Sequence, residues 1–496
     1  MKIQERWRMV LDKVSFALLC VLMADCCITG AGRLIEIGSL GGRMVLFFFL
    51  CLSAVPAMLC NWKNLLKNRF VQYLLCFLGV LVIQAVRGVM VGNHMGILKT
   101  DVKGYLYFAM VPVSLCVLTD KKRILTLMKV MVYASAFLSC LAVAFVILYA
   151  YNLDLFQKLA QYVVPENGST TGMMAFTALQ GKQMRVFCYS GLYLLCSCAF
   201  SCYFVVSDEG SGIKWQYCLI TALNLLVLLI SFTRSIYLAA FIAVVSLVVF
   251  LLFAAGKGIR KKVISFFGVS LLMLAVLLAG VDAITGESNL QYGATRILLT
   301  MESAEESSWI TEPATEPATE PATEPAAEPA TEPATEPATE PATEPATEPA
   351  AEPATEPDEP QYNQTTIESD QLRNMTVEEY KKYIRRNPLF GNGLGVYLEC
   401  REDGYGEYFY LDMISKMGIV GLLCFLAPML NCLFYIVNGI RKGEKEVIML
   451  GIWIVPLLGL MGYSYFNPYM NAALGVLFYS AVIAVASWYD NQRQKR

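Results

Sequence analysis

Apolar runs recur along this chain that reach the ~20 residues an α-helix needs to cross a ~30 Å hydrocarbon core. Inside a bilayer no water serves the backbone, so only helices or closed barrels cross it. Runs of this length near 14–29, 44–60, 70–90, 104–118, 128–150, 186–206, 216–232, 235–255, 263–283, 409–436, 446–463 and 468–487 predict an all-α integral membrane protein with about twelve transmembrane helices. No small-residue cleavage site followed by a soluble domain marks the first run, which reads as a retained span. Residues 1–283 then hold spans one to nine, and 284–408 form a large loop with short helices between spans nine and ten. Residues 409–496 hold the last three spans and a tail.

The net charge of −2 conceals an asymmetry. Twelve Glu of a repeat in 311–360, with Asp358 and Glu359, account for fourteen of the 41 acidic residues, leaving 27 against 39 basic ones elsewhere. That excess of cations suits anionic lipid head groups and gives no reason to expect a nucleic-acid partner. Nearly all sixteen cysteines lie inside apolar runs such as "LLCSCAFSC" at 194–202, where they behave as small hydrophobes. No CxxC occurs, and His94 is the single histidine. No metal site or cofactor is therefore expected, and a Ser-His-Asp triad would have to use His94, which reads as a loop residue without a role.

Basic residues in the short loops set the orientation. The N-terminus, alternate loops and the tail "NQRQKR" together carry 22 Lys and Arg, against nine (Arg33, Arg43, Arg87, Lys99, Lys103, Lys158, Lys182, Arg185 and Arg234) in the other set. Both termini are expected in the cytoplasm, with the 284–408 loop outside, where no ATP is available. That excludes a nucleotide for "NPLFGNGLGVYLE" at 387–399, whose Gly391, Gly393 and Gly395 otherwise suggest a phosphate loop. A phosphate loop also follows a strand and opens a helix. These glycines follow an amphipathic helix and suit a tight backbone path, because glycine takes positive φ cheaply and admits a close neighbour.

The outer loop opens with "TEPATEPATEPA", repeated from Thr311 to Pro357. Proline at every fourth position forbids a helix and nothing in the tract builds a core, so it is expected to be disordered and extended. At ~3.1 Å per residue its reach is on the order of 150 Å. It reads either as a spacer projecting outward or as an expanded repeat tolerated where it lies. Order is expected to resume over 376–395, with Thr376 and Glu379 as a capping box and the helix ending before Asn387-Pro388. After the turn, Glu407 stands at the mouth of the tenth span. Asp412 and Lys416 lie inside that span, spaced i, i+4 so that they neutralise each other. Glu407 has no such local partner; it is either an interfacial residue or a general base at a wet mouth.

Two arginines mark the outer ends of spans. Arg185 in "GKQMRVFCYSG" opens the sixth, and Arg234 in "ISFTRSIYLAAF" lies in a turn of about two residues between the seventh and eighth. Each either snorkels to lipid phosphate or forms a bidentate clamp on a bound phosphate or pyrophosphate.

Taken in order, "MRVFCYSG", "SFTRS", "RNPLFGNGLGVY", "EYFYLDMISKMGIVGLL" and "SYFNPYMNAALG" resemble the O-antigen ligase and polymerase family, from about residue 180 to the end apart from the repeat. The resemblance implies a metal-independent glycosyltransferase acting outside the cytoplasmic membrane. Its donor would be a glycan on a polyprenyl-pyrophosphate lipid, and its acceptor the hydroxyl of a glycan or glycolipid. It assigns the lipid pyrophosphate to Arg185, Arg234 and Arg373, with Arg296 in "GATRILLT" competing for the last role. Many ligases carry His-Asn where this chain has Glu407-Tyr408, while Tyr410, Leu411 and Asp412 match the family at the neighbouring positions. Glu407 is thereby implied as the base and Tyr410 and Asp412 as its support. Polymerase and ligase remain alternatives. From other classes, a flippase or transporter of lipid-linked oligosaccharide and an anchor displaying the acidic repeat also compete.

Overall fold

Helix formation follows the apolar runs closely. The structure is a computed structural model and describes residues 2–30, 36–37, 40–164, 172–179, 181–207, 214–254, 256–295 and 362–495. Its helices are α1 (Lys2–Thr29), α2 (Gly42–Cys60), α3 (Trp62–Lys67), α4 (Arg69–Val91), α5 (Met95–Leu106), α6 (Met110–Val117), α7 (Lys121–Tyr151) and α8 (Leu153–Ala160). They continue with α9 (Gly191–Val206), α10 (Trp215–Ile230), α11 (Arg234–Ala254), α12 (Lys257–Thr285), α13 (Tyr362–Arg386), α14 (Phe409–Arg441), α15 (Val447–Tyr463) and α16 (Ala473–Gln494). Among the described residues, seven helices are long and apolar enough to cross a membrane: α2, α4, α7, α11, α12, α14 and α16. The shorter apolar helices are α9, α10 and α15. The repeat of 311–360 and Arg296 lie outside the described residues.

Three expectations are corrected. The run 104–118 does not form one helix, because α5 passes through a 3₁₀ turn at Tyr107–Ala109 before α6 begins. Pro112 explains the break: it lacks an N–H, and its ring collides with a helical carbonyl four residues back, at Phe108. Next, the fold is not purely helical. Among the described residues two antiparallel hairpins are present, β1 (Glu36–Ile37) with β2 (Leu40–Gly41), and β3 (Met174–Ala178) with β4 (Met184–Cys188). Finally, Arg185 does not open a helix but lies within β4, opposite Thr177. "MRVFC" alternates buried and half-buried residues, the period-2 pattern of a strand, and α9 begins only at Gly191.

The chain divides into two units. Leu298–Gln371 is one, of which only 362–371, the first turns of α13, are described. The other, Met1–Ile297 with Leu372–Arg496, is the helical bundle. At its centre every residue of α9 and every residue of α16 from Ala473 to Tyr489 is buried. Around them α4, α11 and α12 expose large apolar side chains such as Ile83, Met90, Phe241, Phe253, Ile264 and Leu272. Apolar surface on that scale is stable facing lipid and costly facing water. Polar links tie the helices: Ser139 Oγ donates to Asn224 Oδ1 at 2.7 Å, and Asn224 Nδ2 donates to Ser197 Oγ at 2.9 Å, joining α7, α10 and α9. Arg43 and Asp25 pair at 2.8 Å between α2 and α1.

Candidate functional site

The glycine turn is a wedge between two helices. Gly391, Gly393 and Gly395 have φ of 69°, 89° and 86°. A β-carbon on Gly391 would stand 2.5 Å from Met417 N, and one on Gly393 would stand 2.6 Å from Gly88 N. The turn threads between α4 and a break in α14, where Gly418 adopts φ 70°. That break frees backbone groups, and the turn takes them up. Asn392 N and Gly393 N donate to the carbonyls of Ser415 and Lys416 at 2.9 and 3.0 Å. Ile419 N and Val420 N donate to Pro388 and Leu389 at 2.9 and 3.2 Å. On the other flank Leu394 N donates to Gln84 O at 2.9 Å, and Asn93 Nδ2 donates to Leu394 O at 2.9 Å. With these amides engaged inside the protein, the turn offers no anion cradle. The expected tight backbone path is what forms. His94 has a role after all, since its Nδ1 accepts from Ile97 N at 3.3 Å and caps α5.

Beneath the turn lies a buried ion cluster. Lys416 Nζ donates to Asp412 Oδ1 at 2.7 Å, the expected i, i+4 pair, and also to Asp101 Oδ1 on α5 at 2.8 Å. The lysine side chain is only 2% exposed. Gly395 N donates to Asp101 Oδ2 at 3.0 Å, and Tyr380 OH on α13 donates to Asp412 Oδ1 at 3.1 Å. The cluster thus pins α5, the turn, α13 and α14 to one point. Asp412 belongs to it as a support, while Tyr410 OH donates to Met461 O at 2.8 Å and fixes α14 against α15.

Glu407 sits just outside this cluster and is not alone. Arg373 Nε approaches its Oε2 at 3.4 Å, and an Arg401 terminal nitrogen approaches Oε1 at 3.6 Å. Sequence reasoning missed Arg401, because a basic residue in "LECREDG" reads as a solvated loop. The structure fixes it: Arg401 Nε donates to Thr376 Oγ1 at 3.1 Å. Thr376 is therefore not a helix cap. It lies mid-helix in α13, with its hydroxyl donating to Leu372 O at 2.7 Å. Its supposed partner Glu379 instead accepts the amides of Glu399 and Cys400 at 2.8 and 3.1 Å. Burial opposes that carboxylate's ionisation, but the Cys400 thiol and the two amides outweigh it and hold its pKa below the usual value. The capping box failed because α13 continues upstream to Tyr362, so Thr376 has no orphan amide to cap.

Arg185 and Arg234 form a second group. Arg185 Nε donates to Ser231 O at 2.8 Å and a terminal nitrogen donates to Thr233 Oγ1 at 3.2 Å. The guanidinium is thereby tied to the turn that leads into Arg234, the first residue of α11. Within that turn Phe232 has φ 45°, the single positive value among described non-glycine residues. A bulky residue held there is strained and persists only where its surroundings enforce it. Here its buried ring packs on Tyr292 at 4.8 Å.

The connection between α15 and α16 touches both groups. Toward Arg234, Asn467 Nδ2 donates to Oγ of the adjoining Ser235 at 3.2 Å. Toward Glu407, the ring of Tyr408 meets Tyr465 at 5.9 Å and Phe466 at 6.3 Å. Thus the stretch from Tyr465 to Asn467 meets a chain neighbour of each group, Ser235 beside Arg234 and Tyr408 beside Glu407. Guanidinium groups so placed suit a phosphate-bearing group, and the half-exposed carboxylate suits a proton acceptor. Among the described residues, no three His, Cys, Asp or Glu side chains are placed to hold a metal ion. No protein-family model matches the chain, and no curated protein matches it.

Proposed function

We propose that this protein is a membrane glycosyltransferase of the surface-polysaccharide polymerase or O-antigen ligase type. It moves a glycan from a polyprenyl-pyrophosphate lipid to an acceptor sugar hydroxyl, on the outer side of a bacterial cytoplasmic membrane. The observation that carries this reading is two arginine-bearing groups, Arg373 paired with Glu407, and Arg185 tied to the turn that leads into Arg234. These residues lie far apart in the chain, and the sequence resemblance had named them together. In this reading the chain crosses the bilayer about twelve times with both termini inside, as the bias of basic residues indicates.

In the reaction the acceptor oxygen bonds to the anomeric carbon as the bond from that carbon to the pyrophosphate oxygen breaks. The electron pair of the broken bond leaves with the pyrophosphate, and the hydroxyl proton passes to Glu407. Arginines on the pyrophosphate stabilise the charge it gains as it leaves, when their interaction counts most. Arg296 is a further candidate for that contact. Tyr410 and Asp412 hold α14 in place behind the base.

A transporter of lipid-linked oligosaccharide is the competing reading, and the break in α14 supports it, since transporters bind ions at broken helices. Here the groups freed by the break are engaged by the glycine turn, which favours the enzyme. The test is transfer by purified protein from a synthetic polyprenyl-pyrophosphate glycan, with release of polyprenyl pyrophosphate. Translocation without release would support the transporter.

A further inference from the structure

We propose that Arg373 and Arg401 form a site for a phosphate-bearing group which Glu407 occupies as an internal anion, so that arrival of the group displaces the carboxylate and releases it. The ligand class, a pyrophosphate, rests on the glycosyl-transfer reading; the exchange itself rests on the geometry.

The two Glu407 oxygens are divided between the guanidinium groups, Oε2 to Arg373 at 3.4 Å and Oε1 to Arg401 at 3.6 Å. A carboxylate bridging two arginines stands where two oxygens of a phosphate would stand. Both distances lie at the long end of ion pairing, and Glu407 is 38% exposed. Ion pairs this open to water are weak, so the occupant leaves readily. Arg401, in contrast, is held in place. Arg401 is 15% exposed and anchored through Thr376, and its loop is strapped to α13 by the two amides that donate to Glu379. Tyr383 OH adds a bond to Tyr397 O at 3.1 Å. A pair of guanidinium groups, one of them anchored, with a weakly bound resident anion favours a ligand of higher charge and more oxygens.

The consequence for the reaction is order. While the site lacks donor, the Glu407 oxygens face two cations. Pyrophosphate binding replaces it at the arginines and leaves it beside the reacting centre. The base is thus made available by the donor itself, which guards against futile proton transfer.

The exchange predicts that Glu407→Gln, which removes the competing charge, tightens binding of pyrophosphate by about 3- to 30-fold, the combined strength of two exposed ion pairs. Arg401→Ala should weaken it by about tenfold or more, with Arg401→Lys restoring only part. Binding is measured by calorimetry on the full chain in nanodiscs, with size exclusion confirming that each variant is folded. Inorganic pyrophosphate and a short-chain polyprenyl pyrophosphate are the probes, and phosphatidylglycerol vesicles are the control. Tightening with inorganic pyrophosphate assigns recognition to the phosphates alone. Tightening confined to the polyprenyl form assigns it to a head group presented at the membrane, and either result supports the exchange. Unchanged or weaker binding by Glu407→Gln overturns it, as does full binding by Arg401→Ala or tightening for the vesicles alone. Loss of transfer in Glu407→Gln with unchanged pyrophosphate affinity would sink the exchange and leave the enzyme reading standing. Tighter binding in a protein without transfer activity would do the reverse.

Discussion

Replacing Gly391 by alanine tests whether the glycine turn is a structural wedge or a ligand loop. At φ 69° an alanine pays the left-handed penalty of roughly 1–2 kcal/mol. Its β-carbon would also stand 2.5 Å from Met417 N and closer still to the Lys416 carbonyl, both backbone atoms with little freedom to move. Overpacking of that kind adds about 1–3 kcal/mol, for a total of about 2–5 kcal/mol. Gly92 provides the control: its φ is 82°, but nothing lies within 4 Å of its β-carbon position, so Gly92→Ala should show the first cost alone. The assay is the thermal midpoint of detergent-solubilised protein, followed by size exclusion after heating. Gly391→Ala should melt about 1–3 °C below Gly92→Ala. Pyrophosphate affinity measured well below the midpoint should be unchanged. Equal midpoints for the two variants would refute the wedge, and a selective loss of ligand affinity would restore a ligand-binding role to the turn.

Lys416→Met leaves Asp101 and Asp412 buried without their cation and should destabilise the bundle by about 3–5 kcal/mol in the same melt; adding Asp101→Asn and Asp412→Asn should recover most of the loss. A wild-type midpoint for the single variant would show that the three charges do not depend on one another. Arg185→Lys and Arg234→Lys should each lower polymer synthesis by about 10- to 100-fold in a complemented null strain, because an ammonium does not reproduce the guanidinium's directed hydrogen bonds. Full synthesis by both would leave these arginines as lipid contacts.

Much of the helical framework is legible in the sequence because a span is a composition: ~20 apolar residues have few alternatives in lipid. The ends of α14, α15 and α16 lie within a few residues of the runs that announce them, apart from the longer tails of α14 and α16 and the later start of α16. Hydropathy does not encode local geometry. Pro112 breaks the fourth run, and "MRVFC" is apolar enough to be absorbed into a span although its alternation makes a strand. The glycine turn is legible as backbone geometry, since three glycines at alternate positions have few other uses. Its partners Gly88 and Gly418 are not, because nothing in the chain links 88 to 393. The same limit hid Asp101 and Arg401. Lys416 announced one partner at i+4 spacing and acquired a second from α5, 315 residues away. Glu407 lacked a local partner and gained two distant ones.

The measurement that bears most directly on the central claim is turnover by purified protein given a synthetic polyprenyl-pyrophosphate glycan and an acceptor glycan. Wild-type protein should release polyprenyl pyrophosphate in step with a new glycosidic bond. Glu407→Gln, which keeps the shape of the side chain but cannot take a proton, should still bind donor while product formation falls by about 10²–10⁴-fold. Glu407→His should retain part of the activity, since imidazole is also a proton acceptor. Turnover by the Gln variant at the wild-type rate would remove Glu407 from the chemistry, and absence of any transfer by the wild-type protein would contradict the enzyme reading itself.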